Sequence, residues 1–328
     1  MNVRVQSGLL ALAAVVVWNG AAVAQASDYP NRAATLVVPL APGGANDLLA
    51  RLVAQKLEQK FGKPYVVENM PIGGGIPAAL RVVRAAPDGY TLLAASSTLL
   101  SFNVTVRKSM PYDPRNDLTP LALTARSPFV LVVNPDSPIH SVDDLVKLAR
   151  EKKGQLTFGA PGPATFHRLA TEQFRAMFGL DFIYVPYKGT APALNDLIGG
   201  HISFLFAEVP AALALIQSGK LRALGVTTAQ RVAALKDVPP LAEVGIPGFD
   251  SSAWHTITVK TGVSRDIMEK LSVAIRETVT DPAVIDFLNR EGALPMVSPP
   301  LDDVRRFVDG ETARWGKVIE QAGLAGSE

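Results

Sequence analysis

The side chains able to do chemistry in this sequence are few and scattered. Four histidines occur, His140, His167, His201 and His255, each alone, with no HExxH or HxH pairing to bring two imidazoles to one metal. His140 and His201 read as loop or turn residues, whereas His167 falls in a first helical turn from which it could face a cleft. Ser96 and Ser97 end the run "TLLAASS", where a hydroxyl could donate to a ligand. No GxSxG elbow and no base at a readable spacing accompany them, so a nucleophile has no support. The pairs Asp143–Asp144 and Asp302–Asp303 stand at helix starts, where they complement the dipole. With no cysteine, thiolate catalysis, thiolate metal sites and disulfides are all excluded. Neither a metal nor a cofactor is expected.

One local pattern does point to a ligand. In "VPLAPGGAND", residues 38–47, an apolar strand runs into Pro39, Pro42, Gly43 and Gly44, then into the amphipathic "LLARLVAQKL". Strand, glycine turn and helix N-terminus form an anion cradle, because the first N–H groups of a helix lack internal partners and the dipole adds partial positive charge. The loop contains no cation. No Lys follows the glycines as a P-loop requires, and "GGGIPA", residues 73–78, lacks GxGxxG spacing. These absences argue against a nucleotide and for a small anion such as a carboxylate, held reversibly. Asp47 reads as a first-turn complement to the dipole, with ligand contact as the alternative.

The elements that must position this cradle repeat its pattern. Strand-like runs at residues 64–70, 88–97 and 128–135 alternate with helical ones, among them "SVDDLVKLAREK" with Ser141 as N-cap and Asp144 at the capping-box position. "LTFGAPGPATFHRLA", "FIYVPYKGTAPALNDLIGG", "ISFLFAEVPAALALIQSG" and "LRALGVTT" form a second α/β block. The tail from about residue 264 to 324 is helical, and Trp254 and Trp315 read as core. Alternation of this kind predicts an α/β fold with mostly parallel sheets. A chain of 328 residues exceeds one typical core and predicts two lobes. Their expected bounds are 27–125 plus 252–328 and 126–251, with the chain crossing near residues 123–128 and 248–254. Open α/β sheets bind ligands beyond the carboxyl ends of their strands, so the glycine turns of both lobes would face a shared cleft.

Arg4, the apolar residues 8–18 and the small-residue sites "AVA" or "AQA" read as a secretory signal over residues 1–26. The mature chain would begin near Gln25 or Ser27. The apolar run falls short of the about 20 residues that span a bilayer. A soluble periplasmic protein is expected. A net charge of +2 without a long basic run argues against nucleic acid.

The ordered motifs "VPLAPGGANDLLAR", "ENMPIGGG", "APDGYTLL", "GAPGPAT", "VPYKGTAPALNDLIGG", "GKLRALGVTT" and "VPPLAEVGIPGF" resemble the tripartite tricarboxylate transporter receptor family, the Bug-type solute-binding proteins, over essentially the whole mature chain. The resemblance implies a two-lobed periplasmic binding protein type II fold with the ligand cleft between lobes. It implies reversible binding of a small organic acid and no enzymatic step. Partners would be the membrane permease subunits of the transporter or a sensor protein, and the receptor would be a monomer. Carried over by motif, the contacts are Ala41, Pro42, Gly43, Gly44, Ala45 and Asn46, then Ser96, Ser97 and Thr98, then Gly159, Ala160, Pro161, Gly162 and Thr165. Tyr187, Lys188 and Gly189 would sit nearby, and Glu208 joins the set.

Three departures from the family pattern fall near that pocket. The second-lobe turn loses one hydroxyl and one glycine, through Ala160 and Ala164. The family's histidine after it aligns with Arg168, with His167 one place early. The family's aspartate aligns with Ala207, with Glu208 next. Arg168 or Lys188 could supply a cation, although Arg168 reads as a solvent-facing helix charge. A hydrolase using Ser96 or Thr165 is the enzymatic alternative, and it lacks a base.

Overall fold

A computed structural model describes residues 28–328 except positions 41, 43, 44, 72 and 163; the expected signal segment lies outside the described residues. The apolar run after Arg32 forms β1 (Ala34–Val38), which is buried along nearly its whole length, as a central parallel strand must be. The chain continues through α1 (Ala45–Phe61), β2 (Tyr65–Asn69), α2 (Ile76–Val83) and β3 (Thr91–Ser96). Strands β2 and β3 lie on either side of β1, both parallel to it. A π-helical turn, Thr98–Phe102, leads into α3 (Asn103–Val106).

The next strand ties the molecule together. Sequence patterning predicts a strand only at 128–135, but β4 (Leu118–Val133) is 16 residues long. Pro120 and Pro128 mask its first part, since proline usually marks strand edges or bulges. The ladder accommodates the irregular sequence by register shifts at Pro120/Ala122 and Leu123/Ala125.

The second lobe follows with α4 (Val142–Lys152), β5 (Thr157–Ala160), α5 (Phe166–Phe178), β6 (Ile183–Pro186), α6 (Thr190–Ile198), β7 (Leu205–Glu208), α7 (Val209–Gln217) and β8 (Arg222–Val226). Ser141 caps α4 as its sequence predicts: its Oγ accepts from Asp144 N at 3.1 Å, while Asp144 accepts from His140 N at 3.0 Å. The chain returns through β9 (Ser252–Lys260), α8 (Arg265–Val279), α9 (Pro282–Arg290), β10 (Leu294–Pro295) and α10 (Leu301–Gln321).

The first-lobe sheet runs β2-β1-β3-β9-β4-β10. The start of β4 pairs with β9, and its end, from Phe129 on, pairs with β7 and β8. One strand thus belongs to both lobes. The expectation of mostly parallel sheets is corrected here. Antiparallel pairings of β4 with β7, β8, β9 and β10, and of β3 with β9, outnumber the parallel ones. The reason is that β4 and β9 cross the junction in opposite directions, as any chain that leaves a lobe and returns must.

Apolar cores lie on both faces of each sheet. In the first lobe, Leu36, Val53 and Ile275 pack on one face and Val37, Ala79 and Trp254 on the other. In the second lobe, Val130, Leu197 and Ala207 pack opposite the cluster of Phe129, Phe174 and Phe206. That last cluster extends into α10. Trp315 stacks edge-on against Phe102 at 5.2 Å and against Phe166 of α5 at 5.3 Å. Both tryptophans are core, as the sequence predicts.

Candidate functional site

The first-lobe cradle is held by a clamp that sequence reading missed. Asn69, last in β2, donates from Nδ2 to Leu40 O at 3.0 Å and to Asp47 Oδ1 at 2.7 Å. Its Oδ1 accepts from Arg51 at 2.9 Å, and Arg51 Nε donates to Asp47 Oδ2 at 2.9 Å. Both ends of the 40–47 loop are therefore tied to one amide. Asp47 is buried and anchors the loop rather than simply facing the helix dipole. A second brace comes from Gly75 at φ +85, where an added Cβ would lie 2.8 Å from Pro39 Cβ. The second glycine run thus packs against Pro39 at the end of β1, and only a left-handed glycine fits there.

Ala41, Gly43 and Gly44 lie outside the described residues. Pro42 is exposed, and Ala45 and Asn46 begin α1. Ser96 ends β3, Ser97 Oγ is buried without a partner, and Thr98 opens the following turn half-buried.

In the second lobe, Gly159 and Ala160 are buried at the end of β5. A Cβ on Gly159 would meet the Tyr187 ring at 2.9 Å, so this glycine serves close packing. Tyr187 N donates to Ala160 O at 3.0 Å and its hydroxyl to Asp196 at 2.6 Å. Burial, then the Asp196 carboxylate, push the phenol up to about 12. Thr165 Oγ1 donates to Gly162 O at 2.8 Å, just after Pro161. Lys188 is exposed, and Gly189 precedes α6. Exchanging Gly159 for valine is expected to displace Tyr187 and break its bond to Asp196. Loss of the raised tyrosine titration in ultraviolet difference spectra would check this.

His167 occupies the first turn of α5, buried, its Nε2 bonded to Thr190 Oγ1 at 3.0 Å and its ring edge-on to Phe129 at 4.8 Å. Arg168 is not solvent-facing, which corrects the sequence reading. Its guanidinium lies 4.1 Å from the Tyr184 ring centroid and its Nε donates to Glu172 at 3.3 Å. The Tyr184 ring arrives from β6, a neighbour no helical period reveals.

Strand parity assembles the rest. Side chains two apart on a strand share a face, and directly paired residues share it too. Ser96 pairs with His255, His255 with Ala125, and Phe129 with Glu208. Ala125, Ser127 and Phe129 alternate along β4. Ser96, His255, Ser127, Phe129 and Glu208 therefore line one face running from lobe to lobe. Ser127 Oγ and His255 Nε2 are 2.9 Å apart. Ala207 points to the opposite face, into the apolar core, so Glu208 does not replace an aspartate there. Ser127 and His255 escaped sequence reading, because the register that pairs them joins residues 128 positions apart.

Of the titratable groups here, the two histidines are uncharged at pH 7, whereas burial raises the Glu208 carboxyl to about 7. Burial lowers His167 to about 3 and His255 to about 4, and the Nδ1 of each is buried without a partner. Both imidazoles stay neutral when folded but take up protons when unfolded, below about 6.5. Stability is thus fully present above 6.5 and lost as pH falls toward 4 and 3. The thermal midpoint is expected to fall from about pH 6.5 to 4.5, and the slope should flatten when both histidines become glutamine. A midpoint already flat in the wild-type protein would contradict this. Among the described residues no group of three His, Asp or Glu is placed to hold a metal. No helix among them is long and apolar enough to cross a membrane.

Two α/β lobes joined by shared crossing strands, with turns at their strand ends, are the architecture of a two-lobed binding protein. The chain belongs to the family described as "Tripartite tricarboxylate transporter family receptor", whose model matches residues 49–324. This is a family of receptors rather than enzymes. The chain is similar to Protein BugT of Bordetella pertussis, 34% identical over 92% of this chain and 93% of that one. Among solved structures it is similar to Rhodopseudomonas palustris Rpa4515 with adipate, at 36% identity and TM-score 0.83, covering 91% of this chain and 99% of that one. It is also similar to MatC of the same organism with bound malate, at 29% identity and TM-score 0.77, covering 89% and 100%.

Proposed function

We propose that this chain is a periplasmic receptor that reversibly captures a small organic acid between its lobes and delivers it to the permease subunits of a tripartite tricarboxylate-type transporter. The observation that carries the reading is the clamp by which Asn69 ties Leu40 to Asp47 at the start of α1, on either side of a stretch whose sequence holds no cation. Backbone N–H groups there suit a carboxylate, and the absence of a fixed charge keeps capture reversible. Rpa4515 and MatC, seen with adipate and malate, support the ligand class.

In this reading residues 1–26 direct export. The lobes comprise 27–125 plus 252–328 and 126–251, and close about the crossings. Ligand contacts come from residues 41–46, 96–98, 159–162 and 165, with 187–189 and Glu208 alongside. Closure follows when the acid binds the closed arrangement better than the open one.

A thermal-shift screen of the signal-free protein against mono-, di- and tricarboxylates, amino acids and aromatic acids tests the reading. A ligand at 100 times its Kd adds about 2.7 kcal/mol. The expected result is a raised midpoint for one acid class, with the acid recovered unchanged. No shift from any acid, with protein shown by mass spectrometry to carry no ligand, would overturn it.

A further inference from the structure

The chain returns from the second lobe just before β9, and two arginines hold it there. Phe249 is buried and stacks on Phe206 at 6.2 Å, so it belongs to the second-lobe core. Ser252 opens β9, which enters the first-lobe sheet. Asp250 and Ser251 lie between the two. From β4, Arg126 Nη2 donates to Asp250 Oδ1 at 3.2 Å, and its Nε donates to Ser252 Oγ at 2.7 Å. Ala229 N, just past β8, donates to the same Asp250 oxygen at 3.2 Å. From α10, Arg314 Nη2 donates to Asp250 O at 2.8 Å and to Ser251 Oγ at 3.3 Å.

Ser251 carries the connection further. It is fully buried, its N donates to Thr227 O at 2.8 Å, and its Oγ donates to Gln173 of α5 at 3.1 Å. Two residues are thus bonded to β4, to the segment after β8, to α5 and to α10. Helix α10 itself packs on both lobes. Val304 and Val308 join the first-lobe core beside Trp254, whereas Trp315 and Ile319 join the second-lobe core beside Phe174. Arg314 also pairs with Glu311 at 3.3 Å, and its guanidinium lies 5.3 Å from the Trp315 ring centroid.

These contacts contribute little to stability one by one. Arg126 and Asp250 are 33% and 46% exposed, and exposed ion pairs are weak. Their placement gives them their effect. Lobes hinge at a few residues at the ends of elements, where changes of φ and ψ are absorbed. Asp250 and Ser251 occupy such a place, and bonds from four segments restrict them. We propose that Asp250 and Ser251 form a clip, fastened by Arg126 and Arg314, that sets the angle between the lobes. Arg314 is a positioning residue in it, tying α10 to the returning chain. The clip depends only on the two lobes and the strands they share, whichever solute is captured.

The chain has no cysteine, so a pair of introduced cysteines carries spin labels without background. Gln59→Cys on α1 and Lys147→Cys on α4, both at exposed positions, set one label on each lobe. Pulsed electron resonance of the signal-free protein then reads the inter-lobe distances, and circular dichroism confirms the fold. With the clip intact, one narrow distribution is expected. In Arg314→Met a second separation should rise roughly tenfold in population, as the loss of bonds from a charged donor implies. Asp250→Ala should act in the same sense. Both together should add little to either alone, because each releases the same two residues. Arg314→Lys, whose ammonium still donates, should fall between, and it supplies the comparison if the methionine variant does not fold.

A distribution that is already broad with the clip intact overturns the proposal. So does one left unchanged by the single substitutions, which would leave the angle to Trp315 and the β4–β9 ladder. Additive effects of Arg314→Met and Asp250→Ala would also overturn it, since the two would then act separately. The same broadening in Arg265→Met, which removes an exposed pair with Asp302 within the first lobe, would do so too.

Discussion

Replacing Asn69 by leucine is expected to weaken capture of the acid that gives the largest thermal shift by roughly tenfold to a hundredfold, while the fold survives. The amide uses all its hydrogen-bonding groups on the cradle: Leu40 O, Asp47 Oδ1 and Arg51. Leucine fills the space but removes one donor from the buried Asp47 carboxylate, which keeps Arg51, and leaves the exposed Leu40 carbonyl to water. A hydrogen bond to a charged group contributes about 1.5–3 kcal/mol, and each 1.4 kcal/mol of that loss appearing in binding is tenfold. Asn69→Asp should be worse, because it sets a second carboxylate beside Asp47. Far-UV circular dichroism would confirm the fold, and calorimetry the affinity. Binding within twofold of the wild-type protein for both variants would show that the loop holds its shape unaided.

Trp315→Ala should produce the largest loss of stability, about 3–5 kcal/mol as for other buried aromatics cut to alanine. The indole is 1% exposed and fills the space between Phe102 and Phe166, one from each lobe. Its Nε1 donates to Glu311 at 3.2 Å, so Glu311 loses one of its two donors and keeps Arg314. Trp315→Phe keeps one aromatic contact and should cost less. Urea unfolding would measure both. A loss below about 1 kcal/mol for the alanine variant would mean that α10 repacks and does not join the lobes.

Legibility followed the range of the interaction. The Ser141 cap, the strand-to-helix succession of β1 and α1, and the amphipathic face of α1 were readable because each joins residues a few positions apart. The first part of β4 was hidden, since its prolines and bulges break the period-two signal. Arg168 was misread because Tyr184 meets it from another strand. Asp47 was read as a dipole complement because Asn69, its partner, lies 22 residues away.

By itself the sequence determined the alternating α/β elements, the turns at their ends, the cation-free loop and the order of motifs that marks the family. These are properties of short stretches, set by side-chain periodicity and turn chemistry. Only the tertiary structure decided that β4 and β9 run antiparallel between lobes, and that their parity carries Ser96, His255, Ser127 and Glu208 onto one face. Register between distant strands depends on which cores the whole chain can bury, and one residue of slip would turn every one of those groups to the other side.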